Sequence, residues 1–508
     1  MNDRSSRRHE GPAHLLNIAV DRGSATSIGR QIYLALRAAI IAGQMPSGVR
    51  LPSSREAGRL WGVSRGSVVE AFETLISEGY TTGMSGSGTY IAVNIPTPPT
   101  KEKMLKPFNA ADKFKISTAA LSLLGNSLLD PPPQVAFVTG RAAPDEKTRV
   151  ILKRIGHRHL NTASDHYRNP QGEERLRESI SHYLTAARGV HCQPERIFIT
   201  SGSQQAIDLT IRSLINPGDT VAIENPSYPP ARLAFSTYGA KLSPITVDEN
   251  GMNVTALLNL SKPVKAVYLT PSHQYPTGAA LPMVRRLALV DWAAATGTWI
   301  IEDDYDSEFR YDSRPIAALQ GIDKHERVIY IGTFSKALLP GLRLGYVVVP
   351  SEIIPAFRAM RVLLDRFPAP FQQLMVADFL SEGHFSSHLR RLRNTYRISR
   401  DTLVEFLEER LAKQIKIDCP QQGIHLLGRL IGNYNDVAIA QAALNLGVTV
   451  LPVSPMYLAA GYQHGLILGF AALSNAEADF GTRQLARVMS DAALTNKTSR
   501  IRLRTHNQ

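Results

Sequence analysis

The sequence predicts an N-terminal winged helix-turn-helix domain, followed by a larger α/β domain with a mostly parallel central sheet and a smaller C-terminal subdomain. Short helix patterns and a Gly/Ser-rich hairpin fill residues 15–93. From about residue 130, apolar strand-like runs alternate with helical stretches, which favours a parallel sheet covered by helices. A segment with three prolines in four residues, beginning at Pro96, indicates an extended linker. The predicted limits are 15–93, a linker over 94–129, and 130–495.

Length and composition agree with this division. A chain of 508 residues exceeds what one hydrophobic core usually organises, and 44% hydrophobic with 20% charged residues is typical of a globular protein. No apolar run reaches the roughly 18 residues of a membrane span, and the polar start lacks a secretory signal, so we expect a cytoplasmic protein. Cys192 and Cys419 lie far apart and outside metal-ligand spacing. We therefore expect no disulfide framework and no metal site, and interpret both cysteines as inert packing residues.

The formal net charge of +13 is compatible with binding to a nucleic acid. Residues 1–95 nevertheless hold ten arginines, no lysine and seven acidic residues, which is a net charge of only +3. Much of the excess lies between Arg390 and Arg400 and in the C-terminal tail. The charge therefore permits DNA binding without locating it.

Residues 51–75 are predicted to form two helices around a short turn. Ser53 or Ser54 can cap the first helix, Gly62 permits the turn, and Ser64 can cap the second helix. In the second helix four apolar residues recur at helical spacing and are expected to be buried: Val68, Ala71, Phe72 and Leu75. This leaves the N-terminal turn exposed, the part that a recognition helix presents to the major groove: Arg65, Gly66 and Ser67.

A Gly-rich tip between two short strands, Gly83 to Gly88 and then Thr89-Tyr-Ile-Ala, suits a wing near the sugar-phosphate backbone. Together with Leu-Pro-Ser-Ser-Arg and Gly-Val-Ser-Arg, it resembles the GntR-type winged helix over about residues 25–93. The resemblance implies DNA-contacting roles for Arg55 and Arg65, with Ser64 and Ser67 nearby, and for the wing around Gly86. Val69 departs from relatives that carry a further arginine, so their base preferences are not transferred.

The segment Gly332-Thr-Phe-Ser-Lys-Ala-Leu-Leu-Pro-Gly-Leu-Arg carries the sharpest chemical signal. Lys336 follows a buried apolar strand, so it can form a Schiff base with an aldehyde instead of being a solvated surface residue. Thr333, Ser335 and Arg343 offer hydroxyls and a forked, charged group for a phosphate carried by that aldehyde.

A second segment, Ile300-Ile-Glu-Asp-Asp-Tyr-Asp, ends an apolar strand in acidic residues. Open parallel sheets bind ligands at this edge, and a fixed aspartate keeps the nitrogen of a pyridine ring protonated. Asp303 is the choice for that role, with Asp304 and Glu302 as alternatives because sequence gives no side-chain direction. Tyr305 is expected to hydrogen-bond the phenolic oxygen of the ring.

A third segment, Thr200-Ser-Gly-Ser-Gln, joins a strand to a helix. The backbone N–H groups of Ser203 and Gln204 can meet a phosphate at the helix N-terminus. Tyr228, in Asn-Pro-Ser-Tyr-Pro, is a candidate to stack on the ring. Each signal alone is weak, since a tight turn or an ordinary loop aromatic would look the same.

Together these segments resemble the pyridoxal-phosphate-dependent, fold-type-I aminotransferase domain over about residues 130–490. Joined to a GntR-type reader, the chain resembles the MocR-type (GabR-like) transcription regulators. The resemblance implies the cofactor pyridoxal 5'-phosphate, operator DNA as a partner, and a homodimer. It also implies that Tyr167, in His-Tyr-Arg-Asn-Pro, reaches a phosphate across the dimer interface.

Two positions depart from catalytic aminotransferases, which commonly place asparagine before Pro-Thr-Gly and an arginine for the substrate carboxylate in a late strand. This sequence has Tyr275 and Ile467 there. Efficient transamination is therefore in doubt, although weak or partial turnover is compatible with the motifs.

Three hypotheses follow from these motifs. The first is a regulator that senses an amine, an amino acid or pyridoxal phosphate by exchange of the Schiff base (aldimine) at Lys336. The second is an aminotransferase with an accessory N-terminal domain, and the third is a DNA-binding protein whose large domain has lost the cofactor. Sequence favours the first hypothesis but does not identify the effector, the operator, or the sign of regulation.

Overall fold

The computed structural model describes residues 18–84, 88–93, 116–124, 135–142, 144–160, 166–311, 316–459, 461 and 463–505, with side chains up to residue 492. The chain divides into two compact units, residues 1–115 and 116–508. This division falls inside the segment predicted as a linker, of which only residues 116–124 are described beyond residue 93. The finer limits given above stay predictions.

The N-terminal unit is a winged helix-turn-helix, as predicted. Its elements are α1 (Ile28–Ile41), α2 (Ser54–Leu60), α3 (Arg65–Ser77) and the antiparallel strands β1 (Thr81–Met84) and β2 (Gly88–Ile91). The Ser53 side chain caps α2 and the Ser64 side chain caps α3, each accepting the backbone N–H of the residue three positions further along. Gly62, with a φ of +63°, makes the turn between them. The apolar face of α3, formed by Val68, Ala71, Phe72 and Leu75, is buried as predicted.

The second unit is built on an eight-stranded sheet. Its strands are β3 (Ile197–Thr200), β4 (Thr220–Asn225), β5 (Lys241–Asp248), β6 (Gly251–Met252), β7 (Ala266–Leu269), β8 (Trp299–Asp304), β9 (Val328–Thr333) and β10 (Gly345–Val348). The order is β3-β10-β9-β8-β7-β4-β5-β6. From β9 to β5 the strands run parallel, whereas β10 is antiparallel to both neighbours and β6 is antiparallel to β5. The sheet is therefore mostly parallel, as predicted.

Helices cover both faces of this sheet. They are α5 (Glu146–His159), α6 (Glu174–Arg188), α7 (Ser203–Leu214), α8 (Pro229–Thr237), α9 (Val254–Leu258), α10 (Met283–Thr296), α11 (Leu319–Ile322), α12 (Ile354–Asp365), α13 (Pro370–Ser381) and α14 (His384–Leu411). The short α4 (Thr118–Leu123), which precedes them, buries none of its residues. Successive strand residues face opposite sides, so Ile197 and Ile199 join one apolar cluster while Phe198 joins another. Strands β3 and β10 are accordingly buried at every position, whereas β5, near the edge of the sheet, is partly polar and partly exposed.

The C-terminal subdomain is a four-stranded antiparallel sheet with two helices. It contains β11 (Ile415–Ile417), β12 (His425–Leu430), α15 (Asp436–Asn445), β13 (Leu451–Pro452), β14 (Gly465–Gly469) and α16 (Asn475–Thr505). The long α14 ties it to the large sheet, because Phe385 packs in a cluster of the large sheet and Leu403 in that of the subdomain. Within the described residues, no helix is long and apolar enough to cross a membrane.

The two cysteines have different surroundings. Cys192 is half-buried beside an apolar cluster, whereas Cys419 is exposed. The expectation that both pack in the interior is therefore wrong for Cys419, which lies in the loop before β12 where it lines an open cavity.

Candidate functional site

A cavity of about 230 Å³ brings together nine of the ten residues predicted to bind the cofactor. They are Ser203, Gln204, Tyr228, Asp303, Tyr305, Thr333, Ser335, Lys336 and Arg343. The parallel strands β8 and β9 end at the same edge of the sheet, which places Asp303 near Lys336. Tyr167 is not among the lining residues; it is 79% exposed, and its ring packs edge-on against Phe367.

The three consecutive acids of β8 point to different partners. Glu302 accepts the backbone N–H groups of Leu319 and Gln320 at the start of α11. Asp304 accepts from Arg188 at 2.8 Å in a buried ion pair, and from Tyr330 and Ser307. Only Asp303 lines the cavity. This geometry favours Asp303 over the two alternatives that the sequence left open.

Asp303 presents one oxygen without a partner. Its Oδ2 accepts the hydroxyl of Tyr268 at 2.6 Å, while its buried Oδ1 has no hydrogen-bond partner among the described residues. Burial raises the pKa of Asp303 to about 6, against the opposing effects of the Tyr268 hydroxyl and the Lys336 ammonium. Such a carboxylate is the acceptor that a protonated pyridine nitrogen requires.

The amine of Lys336 is held in the same enclosed space. Burial lowers its pKa from the ordinary value, and Asp306 and Asp303 partly offset this. Gly140, with a φ of +81°, passes so close that a Cβ there would lie 2.5 Å from Nζ of Lys336. A lowered lysine pKa increases the fraction of neutral amine, which is the form that attacks an aldehyde.

A candidate anion site adjoins the cavity at Arg343 and the start of α7. Helix α7 begins at Ser203 without a side-chain cap, so its first N–H groups have no acceptor from the preceding residue Gly202. The Arg343 side chain donates to the carbonyl of Ser201 at 2.9 Å and passes 3.5 Å from where a Cβ of Gly202 would stand. A guanidinium beside free helix N–H groups fits a phosphate.

Aromatic rings form the remaining wall. Tyr228 and Tyr275 pack edge to face with ring centroids 5.4 Å apart, and Tyr275 also approaches Tyr305 at 6.0 Å. Burial raises the pKa of Tyr228 to about 12, so its hydroxyl stays neutral. Ile467 is fully buried in an apolar cluster with Val453 and Met456 and does not line the cavity. The strand position where aminotransferases commonly carry arginine therefore offers no cation to a ligand.

Sequence reasoning missed two histidines at this site. His425 of β12 lines the cavity and stacks on Tyr305, with ring centroids 6.5 Å apart and 18° between the planes. His273 lies behind Tyr305, its Nδ1 3.0 Å from the tyrosine hydroxyl and 2.8 Å from Asp306. The histidine of Ser-His-Gln-Tyr-Pro, which is His273, was the only signal in the sequence for these two residues. His425 lies more than 100 residues along the chain from His273 and Tyr305, so no local motif could link it to them.

The N-terminal unit places four of the five predicted DNA contacts on one part of its surface. Ser64 and Arg65 are exposed at the start of α3, Ser67 is half-buried there, and Arg55 is exposed on α2. The Nε of Arg65 lies 3.4 Å from the Ser54 hydroxyl, which ties the two helices at this end. Gly86 lies outside the described residues.

Comparisons with known proteins define the class. Residues 28–91 match the family of bacterial regulatory proteins of the gntR type, and residues 139–480 match aminotransferase class I and II. A kynurenine aminotransferase of Pyrococcus horikoshii, solved with PMP, is 28% identical with a TM-score of 0.65, over 77% of this chain and 98% of that one. The chain is thus a DNA-binding regulator whose second domain is a fold-type-I aminotransferase domain, and its cofactor is pyridoxal phosphate.

Relatives that match over most of both chains identify the subfamily. The "Probable rhizopine catabolism regulatory protein MocR" of Rhizobium meliloti is 34% identical over 90% of this chain and 92% of its own length. The pyridoxine biosynthesis transcriptional regulator PdxR of Corynebacterium glutamicum is 31% identical over 90% and 94%. The chain belongs to the MocR-type regulators of the GntR family.

We expect Asp303→Asn to weaken binding of pyridoxal phosphate to the apoprotein by roughly 10- to 100-fold, because a hydrogen bond to a charged group is worth about 1.5–3 kcal/mol. A neutral amide at this position cannot maintain a protonated pyridine nitrogen. Absorbance titration of the apoprotein measures the affinity. Asp208→Asn, on the outer part of α7 where Asp208 pairs with Arg212, is the matched control and should bind normally. Equal affinity in both variants would contradict the role given to Asp303.

Proposed function

We propose that this chain is a cytoplasmic, homodimeric transcription regulator that senses a small amine, an amino acid or pyridoxal phosphate through Lys336. The observation that carries the proposal is one cavity that holds the amine of Lys336, the carboxylate of Asp303 and the anion site at Arg343, in a chain that also has a DNA-binding unit. When bound, the cofactor supplies an aldehyde that links covalently to Lys336 and can pass to an incoming amine. The relatives named for regulation of rhizopine catabolism and of pyridoxine biosynthesis agree with a small-molecule effector.

The same cavity is poorly equipped for rapid turnover. Tyr275 stands where catalytic aminotransferases commonly place an asparagine, and the aromatic ring, packed between Tyr228 and Tyr305, cannot make the same amide contact. Ile467 stands where catalytic aminotransferases commonly have an arginine for the substrate carboxylate, and its side chain is buried in an apolar cluster. We expect slow transamination at most, so an amine that binds would stay bound and act as a signal.

On the DNA side, we assign base-edge contact to Arg65 and supporting contacts to Arg55, Ser64, Ser67 and the wing around Gly86. Arg65 begins α3, and its side chain is exposed, whereas the apolar face of that helix is fully used in the core. Arginine can form two parallel hydrogen bonds with guanine in the major groove. The Ser64 hydroxyl caps the helix and contacts the Ser67 hydroxyl at 2.9 Å, which fixes the turn that carries Arg65.

The proposal of a homodimer is supported by exposed apolar side chains at the end of α12. Leu363 is 83% exposed, and Val362 and Leu364 beside it are exposed as well. The chain then turns to Phe367, against which the exposed Tyr167 packs. Apolar surface of this kind marks an interaction site. A second copy that covers it would bring Tyr167 close to a partner, as the resemblance implies.

We expect a compound that displaces the cofactor link at Lys336 to change operator affinity by roughly 5- to 150-fold, a coupling of about 1–3 kcal/mol. Amines, amino acids and pyridoxal phosphate are screened by absorbance for a spectral change, and operator affinity is measured with each. Lys336→Ala should lose the adduct that borohydride reduces, and with it the response to the effector. Because the aminotransferase alternative needs turnover instead, an amino donor consumed at ordinary enzyme rates without any change in DNA binding or transcription would favour that alternative.

We expect Arg65→Ala to relax or abolish operator selectivity, at a cost of about 1–3 kcal/mol for one lost base contact. Fluorescence anisotropy with operator and random duplexes at fixed salt gives the ratio of affinities. Arg30→Ala on α1, where the guanidinium lies over the ring of Tyr33, removes the same charge from the same unit and should keep selectivity. If Arg65→Ala binds both duplexes as the unchanged protein does, α3 is not the recognition helix.

We expect Leu363→Asp to shift the protein from dimer to monomer, because a buried unpaired carboxylate at an interface is costly. Sedimentation velocity measures the association state. Val284→Asp on α10 changes an equally exposed side chain, at 80% against 83%, and should remain dimeric. A dimer unchanged by Leu363→Asp would show that the end of α12 is not the interface.

A further inference from the structure

A hydrogen-bonded pair behind Tyr305 has no part in the function described so far. His273 and Asp306 are both almost completely buried, with 2% and 1% of their surface exposed. Nδ1 of His273 lies 2.8 Å from Oδ2 of Asp306 and 3.0 Å from the hydroxyl of Tyr305. A buried polar pair is costly unless its hydrogen bonds are made, so its contact with a residue of the cofactor cavity requires an explanation.

The hydrogen-bond partners determine which nitrogen of His273 carries the proton. A carboxylate only accepts, so Nδ1 must donate to Asp306. Nε2 of His273 is buried and has no hydrogen-bond partner among the described residues. A proton on Nε2 would leave a buried donor without an acceptor, so the neutral ring carries its proton on Nδ1.

This tautomer fixes the direction of the Tyr305 hydroxyl. Because Nδ1 carries the proton that it donates to Asp306, it cannot accept the hydroxyl proton of Tyr305, and the tyrosine oxygen shares the Nδ1 proton with Asp306. The proton of the hydroxyl is then directed elsewhere, and Tyr305 lines the cavity that also holds Lys336. Tyr305 thus faces this cavity as a hydrogen-bond donor.

Close packing keeps the His273 ring in this orientation. A Cβ at Gly423 would lie 2.0 Å from its Cε1, and a Cβ at Gly278 would lie 3.2 Å from its Nε2. The ring of His425 packs on it with centroids 5.1 Å apart. Rotation of the imidazole would therefore require backbone movement on two sides.

The same cluster has the spacing of a metal site, since His273, Asp306 and His425 each offer a ligand atom within 4.8 Å of the others. The hydrogen bonds argue against that role, because Asp306 and Nδ1 of His273 already satisfy each other. Burial, with His273 nearby, lowers the pKa of His425 well below its ordinary value, so this ring is a neutral neighbour.

We propose that His273, oriented by Asp306, is a positioning residue that keeps Tyr305 a hydrogen-bond donor to the phenolic oxygen of the bound cofactor. The inference rests on the proposed roles of Lys336 and Tyr305. The phenolic oxygen shares a proton with the nitrogen of Lys336. A second hydrogen bond donated to this oxygen makes it hold the shared proton less strongly, so the proton is lost at a lower pH. The titratable groups facing His273 are Asp306, Tyr305 and His425; Asp304 and Lys336 act on it through Asp306.

The test is a pH titration of the visible absorption band of the cofactor-loaded protein. His273→Phe should raise the midpoint by roughly one pH unit, and Tyr305→Phe should raise it similarly. The double variant should show no larger shift than Tyr305→Phe alone, because both changes remove one hydrogen bond. His273→Asn, whose amide N–H stands near the position of Nδ1, should restore most of the original midpoint. His388→Phe replaces a histidine buried in the same unit between Thr148 and Ala337 and should leave the midpoint unchanged.

Two further measurements need no variant. In the apoprotein, nitrogen-15 NMR of the imidazoles should show His273 with its proton on Nδ1, and a proton on Nε2 would overturn the inference. EDTA should leave the titration of the loaded protein unchanged, whereas a shift on chelation would show that a metal ion, not a hydrogen bond, orients the cluster.

The inference and the proposed function fail in different ways. If His273→Phe and the unchanged protein titrate alike while Lys336→Ala still loses its adduct, His273 has no positioning role and the sensor proposal stands. If Lys336→Ala keeps the adduct, the proposed function itself is wrong.

Discussion

The site depends on ionisable side chains that are buried at the close-packed edge of the sheet and must still carry a charge or be able to take one up. Burial lowers the pKa of Lys336 and raises that of Asp303 to about 6 and those of Glu224 and Glu302 to about 7. Each group therefore needs a specific partner, since an unpaired buried charge is strongly destabilising. The partners are distributed so that Glu302 takes backbone N–H groups and Asp304 takes Arg188. Of the three acids of β8 only Asp303 lines the cavity, and its Oδ1 has no hydrogen-bond partner among the described residues.

This distribution also constrains the backbone around the cavity. The connection from β9 to β10 carries both Lys336 and Arg343, and it is closed by the backbone hydrogen bond from Phe334 to Leu344 at 3.0 Å. Because β10 returns antiparallel between β9 and β3, Arg343 comes next to the start of α7. A Cβ at Gly345 would lie 2.8 Å from the backbone of Gly202, so this close approach needs glycine. One connection between two strands thus supplies both the amine and the guanidinium of one cavity.

Much of the fold and site could be predicted because the signals are local. The acids that end β8, the lysine after β9 and the caps of α2 and α3 lie within a few residues of the elements that position them. The insertion of β10 between β9 and β3 could not be predicted, since a short apolar strand carries no information about its neighbours. His273 and His425 were missed for the same reason, because Asp306 lies 33 residues from His273 and His425 comes from the other subdomain. The roles assigned to the site residues, Tyr167 and Gly86 among them, stay predictions.

A sensor also needs the cofactor cavity to be mechanically linked to surfaces that other molecules contact. Gln205, in the first turn of α7, accepts from Arg361 at 2.8 Å and donates to Asp365 at 2.7 Å, and both partners belong to α12. The anion site at the start of α7 is therefore bonded to the helix whose end presents Leu363. A ligand changes an equilibrium only through its different affinity for two states. Under the proposed function, two states that differ in how α7 and α12 meet would differ at the cofactor phosphate and at the dimer face together. Occupancy of Lys336 could then be read by a partner subunit without any contact between the effector and DNA.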